Sequence, residues 1–144
     1  MAIEEEVRGL LKEGFIREVR YPTCLSNPIF VKKDGGAWRM SSDFTSLNAT
    51  FPKDASPLSS IDQLIDGTAN HEALSFLDMF SEYHQIRMVE SDQELTACMT
   101  PMGNFCYVVM PFGLKNGGTT CQRIVDTVFK DQMGRNVEAY VMMF

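Results

Sequence analysis

This sequence predicts an α+β fold in which helices cover an antiparallel sheet. Strand-like runs come in pairs around Asp34-Gly35-Gly36 and Pro101-Met102-Gly103, the turn chemistry of hairpins. Apolar residues also recur at helical spacing near both ends of the chain. With 144 residues and neither internal repeat nor linker, one domain with a substantial core is expected.

Ile3 to Glu13 reads as a helix, with Ile3, Val7, Leu10 and Leu11 on one face, acids in the first turn and Gly14 as its stop. Tyr21-Pro22 and Asn27-Pro28 mark extended or turning chain. Pro28 to Lys33 and Ala37 to Ser42 are the strands of the first hairpin. Phe51 to Pro57, with two prolines, is a loop. Ser60 caps a short helix that is expected to end at Gly67. Ala73 to Asp78 is strand-like. Leu95 to Thr100 and Asn104 to Met110 form the second hairpin. Thr119 to Met133 is the strongest helix, with Cys121, Ile124, Val125, Val128, Phe129 and Met133 at helical spacing. A last strand is expected from Asn136 to Phe144.

The composition, 44% hydrophobic and 22% charged, is that of a globular protein. No apolar run approaches the roughly 20 residues of a membrane span. The acidic start, Glu4-Glu5-Glu6, is unlike a signal peptide, so an intracellular chain without membrane contact is expected. Asn48-Ala49-Thr50 is then an unused sequon. Four cysteines without C-x-x-C spacing are expected to be free thiols. A net charge of −6 argues against wholesale nucleic-acid binding. Even so, Arg8, Lys12, Arg17, Arg20, Lys32, Lys33 and Arg39 all fall in the first 39 positions, enough for a local basic surface.

Four clusters bear chemistry. Lys32 and Lys33 at a hairpin tip, with Arg39 on the return strand, can present cations to a polyphosphate. They can equally be a solvated, edge-protecting surface. Asp78 ends an apolar run, where a carboxylate at a sheet edge can hold a metal or simply cap the next turn. Gly113 to Thr120 superficially suggests a phosphate loop, but Gly118 stands where the lysine is required. This glycine-rich entry to a helix can still shape a pocket floor. The fourth cluster is Tyr140-Val141-Met142-Met143. No second histidine follows His71-Glu72 to make a zinc helix, and no serine nucleophile elbow exists. His84 is expected to be a surface or turn residue.

In order and spacing these clusters resemble the reverse transcriptases of gypsy-type LTR retrotransposon Pol polyproteins. The likeness runs through Leu11-Lys12-Glu13-Gly14-Phe15-Ile16-Arg17-Glu18, Phe30-Val31-Lys32-Lys33, and Trp38-Arg39-Met40 with Asp43. It continues in Leu47-Asn48, Pro57-Leu58, Ile61-Asp62, Asp78 with Ser81 and Tyr83, and Met110 to Asn116. The resemblance implies the fingers and partial palm of a right-hand polymerase over residues 1–144, ending at the family's Tyr-Val-Asp-Asp position. It implies two-metal transfer of a deoxynucleotide, with Mg²⁺, to a primer on an RNA or DNA template. Asp78 would be the first metal carboxylate. Lys32 and Arg39 would contact the triphosphate, with Lys33 as a neighbour. Tyr83 would sense the sugar, and Phe112 would lie in the same pocket.

The departures from the pattern matter as much. The family's Ser-Gly-Tyr reads Ser81-Glu82-Tyr83, where an inward Glu82 would repel triphosphate. Gly117-Gly118-Thr119 and Cys121 are milder drifts. Met142 and Met143 replace two metal carboxylates, and thioether sulfur is a soft, neutral ligand unsuited to Mg²⁺. The thumb, the ribonuclease H region and the remaining palm are not in the sequence, so an inactive polymerase fragment is expected. The alternative is a non-catalytic remnant that keeps nucleotide or nucleic-acid contacts; an unstable translation product is a third possibility. Loss of one G from GTG GAT GAT GTT CTA G gives GTG ATG ATG TTC TAG, read Val-Met-Met-Phe-stop. A frameshift in a decayed element is therefore the expected origin of Val141 to Phe144.

Overall fold

The computed structural model describes residues 2–32, 36, 38–56, 60–69 and 71–141. Its chain forms two compact units, the first from residues 1–52 and 83–114, the second from residues 53–82 and 115–144.

The first unit opens with helix α1, Ala2–Lys12, whose acids Glu4 and Glu5 sit in the first turn and Lys12 in the last. Both ends complement the helix dipole. Gly14 stops it as the sequence predicts, at φ 72°. Its N–H bonds to the Leu11 carbonyl at 3.0 Å, and the Phe15 N–H bonds to the Leu10 carbonyl at 2.9 Å. This pair of bonds satisfies carbonyls that the helix leaves open. The buried face is the expected one, since Val7 is fully buried and Leu10 and Leu11 pack beside it.

Three strands follow. β1 is Ile16–Glu18, β2 is Pro28–Lys32 and β3 is Trp38–Ser42. β2 and β3 form the predicted antiparallel hairpin, with Phe30 opposite Met40 and Lys32 opposite Trp38. Of its turn, Gly36 has φ 82°, while Lys33, Asp34 and Gly35 lie outside the described residues. β1 carries no sequence signal, because three residues are too few to show a period. Helix α2, Thr45–Thr50, was equally unannounced. Asp43 starts it by accepting the Thr45 N–H at 3.0 Å and the Thr45 hydroxyl at 2.6 Å, and these two bonds hold its carboxyl below the usual carboxylate range.

A short helix α4, Glu90–Gln93, precedes the second hairpin, β4 Cys98–Thr100 and β5 Gly103–Tyr107. This hairpin is tighter than expected. Thr100 pairs with Gly103, so Pro101 and Met102 alone make the turn and Gly103 belongs to the strand. Residues 94–96 form a 3₁₀ turn instead of extending β4. β5 is central, since it pairs with β4 on one side and with β1 on the other. Beneath this sheet and β3 lies a core of Val7, Ile16, Met40, Phe44, Cys98, Phe105 and Tyr107. α1 also guards the β3 backbone, as Glu6 Oε1 accepts the Met40 N–H at 3.4 Å.

The second unit holds helices α3, Ile61–Thr68, and α5, Gly117–Val128. Ser60 caps α3 as predicted by accepting the Asp62 N–H at 3.3 Å. Gly67, however, does not end it. The helix runs one residue further, to Thr68. α5 begins two residues earlier than expected and stops at Val128, without reaching Met133. It buries Cys121, Gln122 and Val125, whereas Val128 is 68% exposed. The Arg123 guanidinium reaches Asp54 at 2.6 Å and ties the loop before α3 to α5.

Two predicted strands do not form among the described residues. Residues 73–79 have no regular structure, and Phe76 and Leu77 are 90% and 96% exposed. Residues 138–141 are also irregular, apart from an isolated bridge of Met133 to Val137. A strand exists only with a ladder partner, and among the described residues neither run has one. All four cysteines are free thiols, as expected. No helix among the described residues is long and apolar enough to cross a membrane.

These placements separate two phenylalanines by their burial. Phe105→Ala is expected to lower unfolding stability by roughly 3–5 kcal/mol, and Phe76→Ala by less than about 0.5 kcal/mol. Urea melts of the two variants check this; equal losses would mean that residues 73–79 are packed.

Candidate functional site

Within the first unit, residues from four distant stretches meet in one aromatic cluster. The Tyr83 and Phe112 rings lie 4.7 Å apart between centroids at an angle of 51°. The His84 ring lies 5.7 Å from Phe112, edge-on, and 4.7 Å from Phe15. The Arg39 guanidinium carbon stands 5.4 Å from the Phe112 centroid. Such ring pairs contribute about 0.5–1.5 kcal/mol each and an exposed cation–ring contact about 0.5–1 kcal/mol. These energies are enough to fix side-chain geometry, but small beside the core.

Each member is aimed by its backbone. Strand alternation buries Met40 and Ser42 and turns Arg39 to the opposite face. Phe15 follows the Gly14 stop of α1. A 3₁₀ turn at residues 82–85 places Tyr83 inward, 7% exposed, with His84 half-buried beside it. Phe112 precedes Gly113, whose φ of 97° would strain any side chain and whose Cβ position is 3.5 Å from Phe44. Asn48 fixes that turn by donating to the Gly113 carbonyl at 2.8 Å.

Three expected site residues, Arg39, Tyr83 and Phe112, are thus brought together. Lys32 is exposed on the same hairpin, across the ladder from Trp38. His84, expected to be a surface or turn residue, does lie in a turn, but half-buried between Phe15 and Phe112. Burial, and then the charge of Arg39, push its pKa below the ordinary imidazole value of 6.5. Its stacking partners lie far off in the chain, so no local pattern could have revealed them.

In the second unit Asp78 is exposed on irregular chain, not at the end of a strand as expected, because the strand it was to end does not form. Ser81 adopts a left-handed φ of 48°, unusual for a residue with a Cβ. Glu82, partly buried, has its carboxyl pushed up first by desolvation and then by the nearby charge of Asp78. Among the described residues no group of three or more His, Cys, Asp or Glu side chains gathers to hold a metal. Met142 and Met143 lie outside the described residues. The glycine-rich entry to α5 does shape a pocket, an open hollow of about 470 Å³ lined by Lys53, Asp54, Ala55, Ser56, Lys115, Asn116 and Thr119.

Paired antiparallel strands and packed helices thus carry a hairpin-borne arginine over an aromatic floor. The family model described as reverse transcriptase (RNA-dependent DNA polymerase) matches residues 31–144. The chain belongs to that family. It is 33% identical over 144 residues to a retrovirus-related Pol polyprotein from transposon gypsy of Drosophila melanogaster, matching 96% of this chain and 14% of that protein. A transposon Tf2-3 polyprotein of Schizosaccharomyces pombe is 31% identical over 140 residues, matching 97% of this chain and 10% of that protein. The chain thus spans about a seventh or less of these curated relatives. Among solved structures, foamy viral protease-reverse transcriptase in complex with double-stranded DNA has the same fold. Its TM-score is 0.80 at 19% identity, over 97% of this chain and 24% of that one. The native prototype foamy virus enzyme gives 0.75 at 24% identity, over 94% and 18%.

The Glu82 environment sets a pH signature. A carboxyl raised above its unfolded value of 4.5 favours the folded state while protonated. That contribution is full below about 4.5 and is lost as pH rises through the folded value. Glu82→Gln should therefore melt higher than the unaltered chain at pH 7, with the gap closing below about pH 4.5. Thermal melts across that range check it, and a gap constant with pH would contradict the assignment.

Proposed function

We propose that this chain carries the nucleotide-facing surface of an RNA-directed DNA polymerase without completing its two-metal centre. Residues 1–144 are then a partial reverse transcriptase domain. The first unit corresponds to the fingers, and the second, which holds Asp78 and the Tyr-Val-Met-Met run, to an incomplete palm. Arg39 and Lys32 face the triphosphate of a deoxynucleotide, Tyr83 lies under its sugar, and Phe112 supports both. The single observation behind this reading is the meeting of Arg39, Phe112 and Tyr83 within one unit.

Template-primer is the proposed partner, by likeness to the foamy viral enzymes solved with double-stranded DNA and with RNA/DNA hybrid. Mg²⁺ is the family's metal, and Asp78 is the residue assigned to it here. A carboxylate about 4 Å from a divalent ion gains about 8 kcal/mol of attraction at an effective dielectric near 20 before desolvation offsets much of it. Methionine supplies none of this. Replacing two acids by Met142 and Met143 therefore removes most of what would gather two ions. The residues present do not fit a two-ion centre.

A second reading is a binding module that keeps nucleic-acid contacts without catalysis, favoured by Lys32 and Arg39 standing exposed on one hairpin. Purified chain is expected to give no primer extension with Mg²⁺ or Mn²⁺, and extension by the unaltered chain would overturn the inactivity. Met142→Asp with Met143→Asp tests whether the acids alone limit it. Under the second reading, labelled template-primer binds and weakens with added salt, and Arg39→Met lowers that affinity.

A further inference from the structure

The mechanism proposed for this surface gives no task to His84, yet this imidazole touches two of its aromatic rings. Phe15, from the segment before β1, closes one side at 4.7 Å. Phe112, from the loop after β5, meets it edge-on at 5.7 Å. β3 contributes Arg39, the charged group that acts on it, whose guanidinium lies over the same Phe112 ring. Imidazole and guanidinium thus share one aromatic wall, and a proton on His84 would set two cations around it.

We propose that His84 is a proton-operated positioning residue for Arg39, and that a polyphosphate binding at Arg39 is accompanied by proton uptake at the His84 imidazole. With no anion present, the arginine charge and the apolar rings both favour the neutral ring, which stacks on Phe15 and holds Phe112 beneath the guanidinium. An anion at Arg39 cancels the local positive charge that opposes protonation. His84 then accepts a proton from solvent at its unprotonated ring nitrogen, and the resulting imidazolium adds to the field that retains the anion. The linkage is reciprocal, so affinity for the anion rises as pH falls through the range where His84 titrates.

This inference rests on the reading of Arg39 as a triphosphate contact, and its test separates the two. The whole chain is titrated with inorganic tripolyphosphate between pH 5.5 and 8, followed by the fluorescence of Trp38, the single tryptophan and the neighbour of Arg39. The unaltered chain should bind roughly three- to tenfold more tightly at the acid end than His84→Phe does, beyond any gain both share from protonation of the ligand itself. In parallel, the ring protons of the two histidines are followed by NMR, with His84→Phe assigning the resonance. The His84 midpoint should move up in Arg39→Met and also when tripolyphosphate saturates the unaltered chain.

A His84→Phe profile parallel to that of the unaltered chain, with binding intact, overturns the proposal and leaves the nucleotide reading standing. An unmoved His84 midpoint in Arg39→Met overturns the coupling without reference to any ligand. Absence of binding at every pH removes the nucleotide reading together with the proton uptake built on it.

Discussion

β5 is the element on which the first unit depends. Among the named strands there it alone has a strand on each side, taking β1 along one edge and β4 along the other. Its side chains supply Phe105 and Tyr107 to the core beneath. A buried strand must satisfy its backbone donors and acceptors, and two flanking strands do so at once. Thr96 extends this, since its hydroxyl accepts the Tyr107 N–H at 2.9 Å and donates to the Gln93 carbonyl at 2.6 Å. The Tyr107 phenol, buried in this setting, is pushed well above its ordinary value and stays neutral at any physiological pH. Phe15 lies just before β1, and Phe112 follows β5 by a short loop. The position of the strand therefore reaches the aromatic cluster directly.

The same rule works in reverse in the second unit. Residues 73–80 carry Leu74, Phe76, Leu77, Met79 and Phe80, an apolar set fit for a buried strand. Without a ladder, Phe76, Leu77 and Phe80 stand at least 86% exposed. Propensity made this stretch look like a strand, but a pleated ribbon is stable only where its edge bonds are taken up. The loop around Asp54 is ordered instead by side-chain links. Arg123 pairs with Asp54, Asn116 accepts the Asp54 N–H, and Asp54 accepts the Ser56 N–H. Two of these links take up backbone N–H groups of a loop that has no strand partner to receive them.

What could be read from the sequence follows the range of the forces involved. α1 with its Gly14 stop, the β2–β3 hairpin and the Ser60 cap are local devices, spelled out in adjacent residues. β1 and α2 are local too, but short, and Thr45–Thr50 has little helix propensity to betray it. The buried face of α5 was misjudged because Ile124 and Val128 satisfy helical spacing equally well; only tertiary contact selects Cys121, Gln122 and Val125. The site divides in the same way. Arg39, Tyr83 and Phe112 were named through family motifs, whereas His84 was missed because stacking on Phe15 and Phe112 leaves no trace in spacing. Asp78 ends an apolar run in the sequence, but the irregular, exposed chain around it has no signature there.

Glu82 bears on whether the missing carboxylates have a substitute. It stands near Asp78 and adds a negative charge where the family pattern has glycine, so the pair could be taken for a rebuilt ion site. Coordination chemistry argues otherwise. The Glu82 carboxyl is raised by partial burial and by repulsion from Asp78. Mg²⁺ demands near-octahedral oxygen coordination, and two carboxylates leave most positions to water. Two-metal transfer needs carboxylates that bridge paired ions, so one raised Glu beside an exposed Asp does not restore what Met142 and Met143 removed. On the reading proposed above, the chemistry left to this surface is recognition of an anion by Arg39 and Lys32.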